Sequence, residues 1–137
     1  MPRDVFFSVD IEASGPVPAL FNMVSIGAVP VDHRDGAWRP GEERFYVELK
    51  PIAPGFDAGA MKVHGIPRQK LEAEGVPAGE AMRRLSEFVA VCLRRTGGRP
   101  VFVGHNAAWT APSRPVDALI VRSTFSCART LAAPPLV

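Results

Sequence analysis

Two acids, Asp10 and Glu12, stand inside the stretch FFSVDIEASG at residues 6–15. Their neighbours Phe6, Phe7, Val9 and Ile11 are apolar types that fit a buried pleated surface. A carboxylate in such a run is desolvated, and its burial needs compensation. Strand alternation sends both side chains to one face, about 7 Å apart along the backbone. Two like charges that close force one group to take up a proton unless a cation intervenes. Hard oxygen ligands suit Mg²⁺ or Mn²⁺, which retain waters for reaction with phosphates. Two such ions about 4 Å apart stabilise both the attacking and the leaving oxygen of an in-line phosphoryl displacement. The same D-x-E spacing also describes a solvated strand edge or a salt-bridged pair. The small-residue turn Ala13-Ser14-Gly15 and the apolar stretch after it favour the metal site.

The elements that must position these acids follow from the hydrophobic period. Residues 4–11 read as a first strand, apolar on both faces and therefore central in a sheet. Residues 22–31 form a second apolar strand, with DHRDG at 32–36 as turn material. Residues 43–50 alternate, with Phe45, Val47 and Leu49 opposite Arg44, Tyr46 and Glu48. The period then changes. Residues 57–64 suit a short helix closed by Gly65-Ile66-Pro67. Residues 78–95 place Ala81, Met82, Leu85, Phe88, Val89 and Cys92 on one helical stripe. Residues 99–106 make a fourth strand, parallel to its neighbour because a helix precedes it. The order β-β-β-α-β predicts a mixed α/β sheet with flanking helices.

Bulk composition sets the class. A chain of 137 residues, 47% hydrophobic and 22% charged, describes one soluble globular domain. No apolar run reaches the roughly 20 residues of a membrane-spanning helix, and the N-terminus lacks a secretion signal. Cys92 and Cys127 form no metal or redox spacing, so a reducing, cytoplasmic setting is expected. A net charge of +2 does not announce a nucleic-acid partner. Its distribution says more: residues 99–137 hold four arginines and the single acid Asp117, with no Lys or Glu.

The segments FFSVDIEASG, MVSIGAV, FYVELKP, AMKVHGI and VFVGHN, in this order, resemble the DEDD-type 3′-5′ exonuclease family, which has a ribonuclease H-like fold. The resemblance runs over residues 4–109. It implies hydrolysis of phosphodiester bonds from the 3′ end of single-stranded nucleic acid with two Mg²⁺ or Mn²⁺ ions. Asp10 matches the aspartate that bridges both ions, and Glu12 the glutamate that holds one ion and the attacking water. Ala13 and Ser14 match the turn that receives the 3′-terminal nucleotide. Met61 and His64 fall on the short helix that lines the nucleotide pocket. Asn106, in Gly104-His105-Asn106, matches the start of the second motif, and relatives of this kind often pair as homodimers.

The pattern then departs. Trp109 holds the aromatic position of the second motif, but Thr110 stands where the family has a metal-binding aspartate. A third motif, a histidine base followed five residues later by an aspartate, has no counterpart after His105. Residues 110–137, rich in Ala, Pro, Arg, Ser and Val and without periodicity, read as a shifted reading frame or a truncation. The chain is therefore expected to hold an exonuclease-like domain at residues 1–109 and an atypical tail at 110–137, leaving the fold's C-terminal part incomplete. Metal binding by Asp10 and Glu12 is expected to be weak, and turnover little or none. A catalytically inactive module of the same fold, binding nucleic acid or protein, is the alternative. The remaining polar groups have plainer readings. His33 is solvated, His105 serves a structural hydrogen bond, and Arg83, Arg84, Arg94 and Arg95 solvate a helix.

Overall fold

The computed structural model describes residues 3–17, 20–104 and 119–121. The strand β1 (Asp4–Ala13) is flanked by β2 (Met23–Arg34), which runs antiparallel to it, and by β5 (Arg99–Gly104), which runs parallel. Further strands are β3 (Ala37–Pro40), β4 (Phe45–Glu48) and β6 (Leu119–Val121). The sheet order is β3-β2-β1-β5-β6, and β4 pairs with the first half of β2. Three helices, α1 (Ala58–His64), α2 (Arg68–Glu74) and α3 (Ala78–Thr96), lie between β4 and β5. Among the described residues no helix is long and apolar enough to cross a membrane.

The expected order is present, with three additions, β3, α2 and β6. The DHRDG stretch is only partly a turn: Asp32, His33 and Arg34 continue β2, and Asp35-Gly36 alone reverses the chain into β3. Both residues have positive φ, 53° and 76°, the conformation of a type I′ hairpin that suits the right-handed twist of strands. The helix α2 has no apolar stripe to announce it. Its single buried residue, Leu71, anchors seven residues held between Pro67 and Gly75.

The core lies between the sheet and α3. Val5 and Phe7 pack on Val89 and Cys92, while Ile26, Val47 and Leu49 pack on Ala81. Phe7 is fully buried and meets the rings of Phe88 and Phe102. Met82, expected on the buried stripe, is instead 40% exposed, because α3 presents a narrower face than the sequence period suggests. Thr96 Oγ1 donates to the Cys92 carbonyl, and Gly97, with φ 63°, ends the helix. Arg99 then donates to Asp4 at 2.7 and 3.0 Å, fixing β5 beside β1.

The expectation that β1 is buried on both faces is corrected. Its core face carries Val5, Phe7, Val9 and Ile11, whereas Ser8 and Asp10 on the other face are exposed among the described residues. Strand centrality and two-faced burial are separate properties. Pairing on both edges makes β1 central, but burial of the second face needs a second layer.

Candidate active site

The face of the sheet opposite α3 carries the acids. The register sets Asp10 across from Gly27 and Glu12 across from Ser25 on β2, and these face Tyr46 and Glu48 on β4. Directly opposed residues share a face. Asp10 is exposed and Glu12 half-buried, and Gly27 leaves open space beside Asp10 because it has no side chain. The pairing slips between Glu12 and Ala13, a bulge that ends the strand at the acid pair.

The pair is set apart by what it lacks. The other strand acids each have a basic partner: Asp4 with Arg99, Asp32 with Arg34, and Glu48 with Lys70 at 2.6 Å. Among the described residues, the side chains of Asp10 and Glu12 have neither an ion pair nor a hydrogen bond. Two adjacent hard carboxylates without a protein cation are a donor set suited to Mg²⁺ or Mn²⁺. They fill only part of a six-coordinate shell. No group of three or more His, Cys, Asp or Glu among the described residues is placed to hold an ion.

Beside the pair lies a polar row that sequence reasoning missed. Tyr46 donates to Glu48 Oε1 at 3.1 Å, and Lys70 neutralises the same carboxylate. The Lys70 hydrogen bond holds Glu48 below its usual pKa, and Glu48 in turn raises Lys70. The Tyr46 ring is 61% exposed, yet desolvation at its hydroxyl end raises the phenol. The alternation of residues 43–50 contained this row, but nothing in it named Lys70, which arrives from α2.

The remaining candidate residues sit around the end of β1. Ala13 and Ser14 are buried. Ser14 Oγ donates to the Gly55 carbonyl at 2.8 Å and accepts the Asn22 N–H at 2.8 Å, so this hydroxyl is engaged by the protein. The Ser14 carbonyl accepts the N–H of Asp57 at 2.7 Å. Asp57 caps α1 by accepting from Ala60 N at 2.8 Å, and α1 lies against β1. The structure thus brings α1, with Met61 and His64, next to the acid-bearing strand. Gly65, with φ 70°, stops α1 immediately after His64. His64 Nδ1 accepts from Ile66 N at 3.0 Å, which leaves the proton on Nε2. That Nε2 is buried and has no hydrogen-bond partner among the described residues. A buried donor without an acceptor is costly and points to an acceptor that the described residues do not supply. Asn106, His105, Trp109, Thr110 and Asp117 lie outside the described residues. His33 is exposed at the end of β2, its ring 5.2 Å from that of Trp38, away from the acids.

No protein-family model matches the chain. It is 36% identical over 107 residues to the 3′-5′ DNA exonuclease Cap18 of Escherichia coli, a match covering 78% of this chain and 53% of that protein. The chain therefore spans about half the length of that relative. Its fold matches E. coli Exonuclease I in complex with a dT13 oligonucleotide, with a TM-score of 0.52 and 22% identity over 76% of this chain and 21% of that one. It also matches a 3′-exonuclease that recognises the 3′ end of a histone mRNA stem-loop, with a TM-score of 0.60 and 12% identity over 76% of this chain and 36% of that one.

Proposed function

The chain carries the ribonuclease H-like fold of the DEDD-type 3′-5′ exonucleases, and from that premise we propose that Asp10 and Glu12 form the acid pair of a phosphodiester-hydrolysing centre acting on the 3′ end of single-stranded nucleic acid. One observation carries the reading: on β1 these two acids share a face without a cation among the described residues, while every other described strand acid has one.

In this reading the two carboxylates hold Mg²⁺ or Mn²⁺, which supplies polarisation of water and of the scissile phosphate. Ala13 and Ser14 shape the turn below the terminal nucleotide. Met61 lines its pocket, and His64 offers Nε2–H as a donor to a substrate oxygen or ring nitrogen. Asn106 joins this set by resemblance. In the reaction a water oxygen bonds to phosphorus, the bond from phosphorus to the 3′-oxygen breaks, and that oxygen takes up a proton as a 5′-mononucleotide leaves. The described acids supply no base for the water's proton, and Thr110 brings a neutral hydroxyl where the family brings a carboxylate. The proposed centre is therefore slow in this chain. The same proposal assigns residues 1–109 to the nuclease-like unit, residues 110–137 to a tail, and the protein to the cytoplasm, with pairing of two copies resting on the resemblance.

Incubation with a 3′-labelled single-stranded oligonucleotide in Mg²⁺ or Mn²⁺ tests the reading. Slow, metal-dependent shortening that Asp10→Ala abolishes is the expected result. Retention of the oligonucleotide without shortening at any protein concentration would replace it with a binding module.

A further inference from the structure

Next to the acid strand lies a buried knot of hydrogen bonds centred on Asn22, a residue that nothing in the sequence marks. Asn22 is 2% exposed, and every hydrogen-bonding position of its amide is filled. Its Oδ1 accepts from Ile52 N and Ala53 N, both at 2.8 Å. Its Nδ2 donates to the carbonyls of Ala53 at 2.9 Å and Gly55 at 3.1 Å. The backbone of Asn22 exchanges further bonds with Ser14, which is fully buried: Ser14 N donates to the Asn22 carbonyl at 2.8 Å, and Asn22 N donates to Ser14 Oγ at 2.8 Å. Close approach is built in around this network. A Cβ on Gly55 would stand 2.2 Å from the Leu20 carbonyl, and one on Gly15 would stand 2.2 Å from the Phe21 ring.

We propose that Asn22 is a positioning residue for the acid pair: acting through Ser14 and residues 52–57, it fixes α1 against the end of β1. The path is short. Ser14 is two residues from Glu12, and its carbonyl holds the N–H of Asp57, the cap of α1. A fully satisfied buried network of this kind has one arrangement, and removing one member leaves the others unpaired. The separation between the acids and the α1 side chains Met61 and His64 is therefore set by Asn22, which touches neither. The role in substrate alignment rests on the nuclease reading; the mechanical link does not.

Asn22→Asp keeps the shape but replaces a double donor with an oxygen facing two carbonyls. Ser14→Ala is the milder companion, should Asn22→Asp fail to fold. Amide hydrogen exchange on the whole chain is the first measurement. Exchange at Ala60 and Met61 is expected to quicken about tenfold, while that at Val89 and Cys92 in α3 stays nearly constant. Equal quickening in α1 and α3, or none in either, would overturn the proposal, since a merely stabilising residue loosens the whole fold. The second measurement is the affinity of a 5′-mononucleotide with Mn²⁺, compared with that of a core variant, Val47→Ala, at equal thermal stability. Weakened affinity in the Asn22 variant alone supports alignment, and equal weakening in both refutes it. If the unaltered chain binds no mononucleotide, the nuclease reading fails while the exchange result still decides the mechanical link.

Discussion

Asp10 and Glu12 were legible as residues from spacing alone, because period two fixes a shared face whatever the sheet does. Their lack of a partner was not legible. Arg99, Arg34 and Lys70 neutralise Asp4, Asp32 and Glu48 from positions 95, 2 and 22 residues away, and only the folded chain shows that none of them reaches the pair. Repulsion between two like charges on one strand face costs on the order of 0.2–1 kcal/mol. Asp10→Asn is thus expected to leave the melting temperature unchanged or slightly raised in a chelator, and to lose whatever gain Mn²⁺ gives the unaltered chain. Thermal unfolding with and without Mn²⁺ checks this, and a clear loss of stability in the chelator would mean that Asp10 has a structural partner.

At the scale of elements, the two faces of β1 behave differently. Phe7 is fully buried against α3, whereas Phe6, on the acid face, is half-buried and meets the exposed ring of Trp38 edge-on at 5.2 Å. Phe7→Ala should cost about 3–5 kcal/mol, and Phe6→Ala markedly less, in denaturant unfolding. The helix α3 adds a pH signature. Hydrogen bonds from Arg83 and Arg84 hold Glu80 down from the usual 4.5 to about 2. A carboxyl depressed on folding favours the folded state above its ordinary pKa, and that contribution fades as the pH falls from about 4.5 toward 2. Glu80 lies on the surface, so the effect is modest and screened by salt. Glu80→Gln should flatten the acid limb of the stability curve within that window, as followed by circular dichroism. Both long elements were legible because their periods are strong. The helix α2 was not, since one buried leucine in seven residues leaves no period to read.

At the scale of the whole molecule, charge decides how nucleic acid can approach. The net charge is only +2, and on α3 Arg83 and Arg84 are engaged with Glu80 and Glu87, and Arg95 with Glu43. With so small a net charge to release counterions, the chain should hold a single-stranded oligonucleotide weakly in a chelator, with a dissociation constant of about 10⁻⁴ M or poorer. Adding millimolar Mn²⁺ should tighten binding at least about tenfold by reversing the sign of the acid face. Fluorescence anisotropy reads the change, and the doubly substituted Asp10→Ala, Glu12→Ala chain should not show it. Tight binding that is indifferent to Mn²⁺ would move recognition away from this face.

By itself the sequence determined the strand that bears the acids, their common face, the main helix and the order of the elements. Each of these follows from local periodicity and turn chemistry. The tertiary structure alone decided that Asp10 faces outward with no partner among the described residues, that Lys70 serves Glu48, and that Asn22 ties the end of β1 to α1. Those facts depend on contacts between distant positions, and hydrogen-bonding geometry across a fold leaves no periodic trace along the chain.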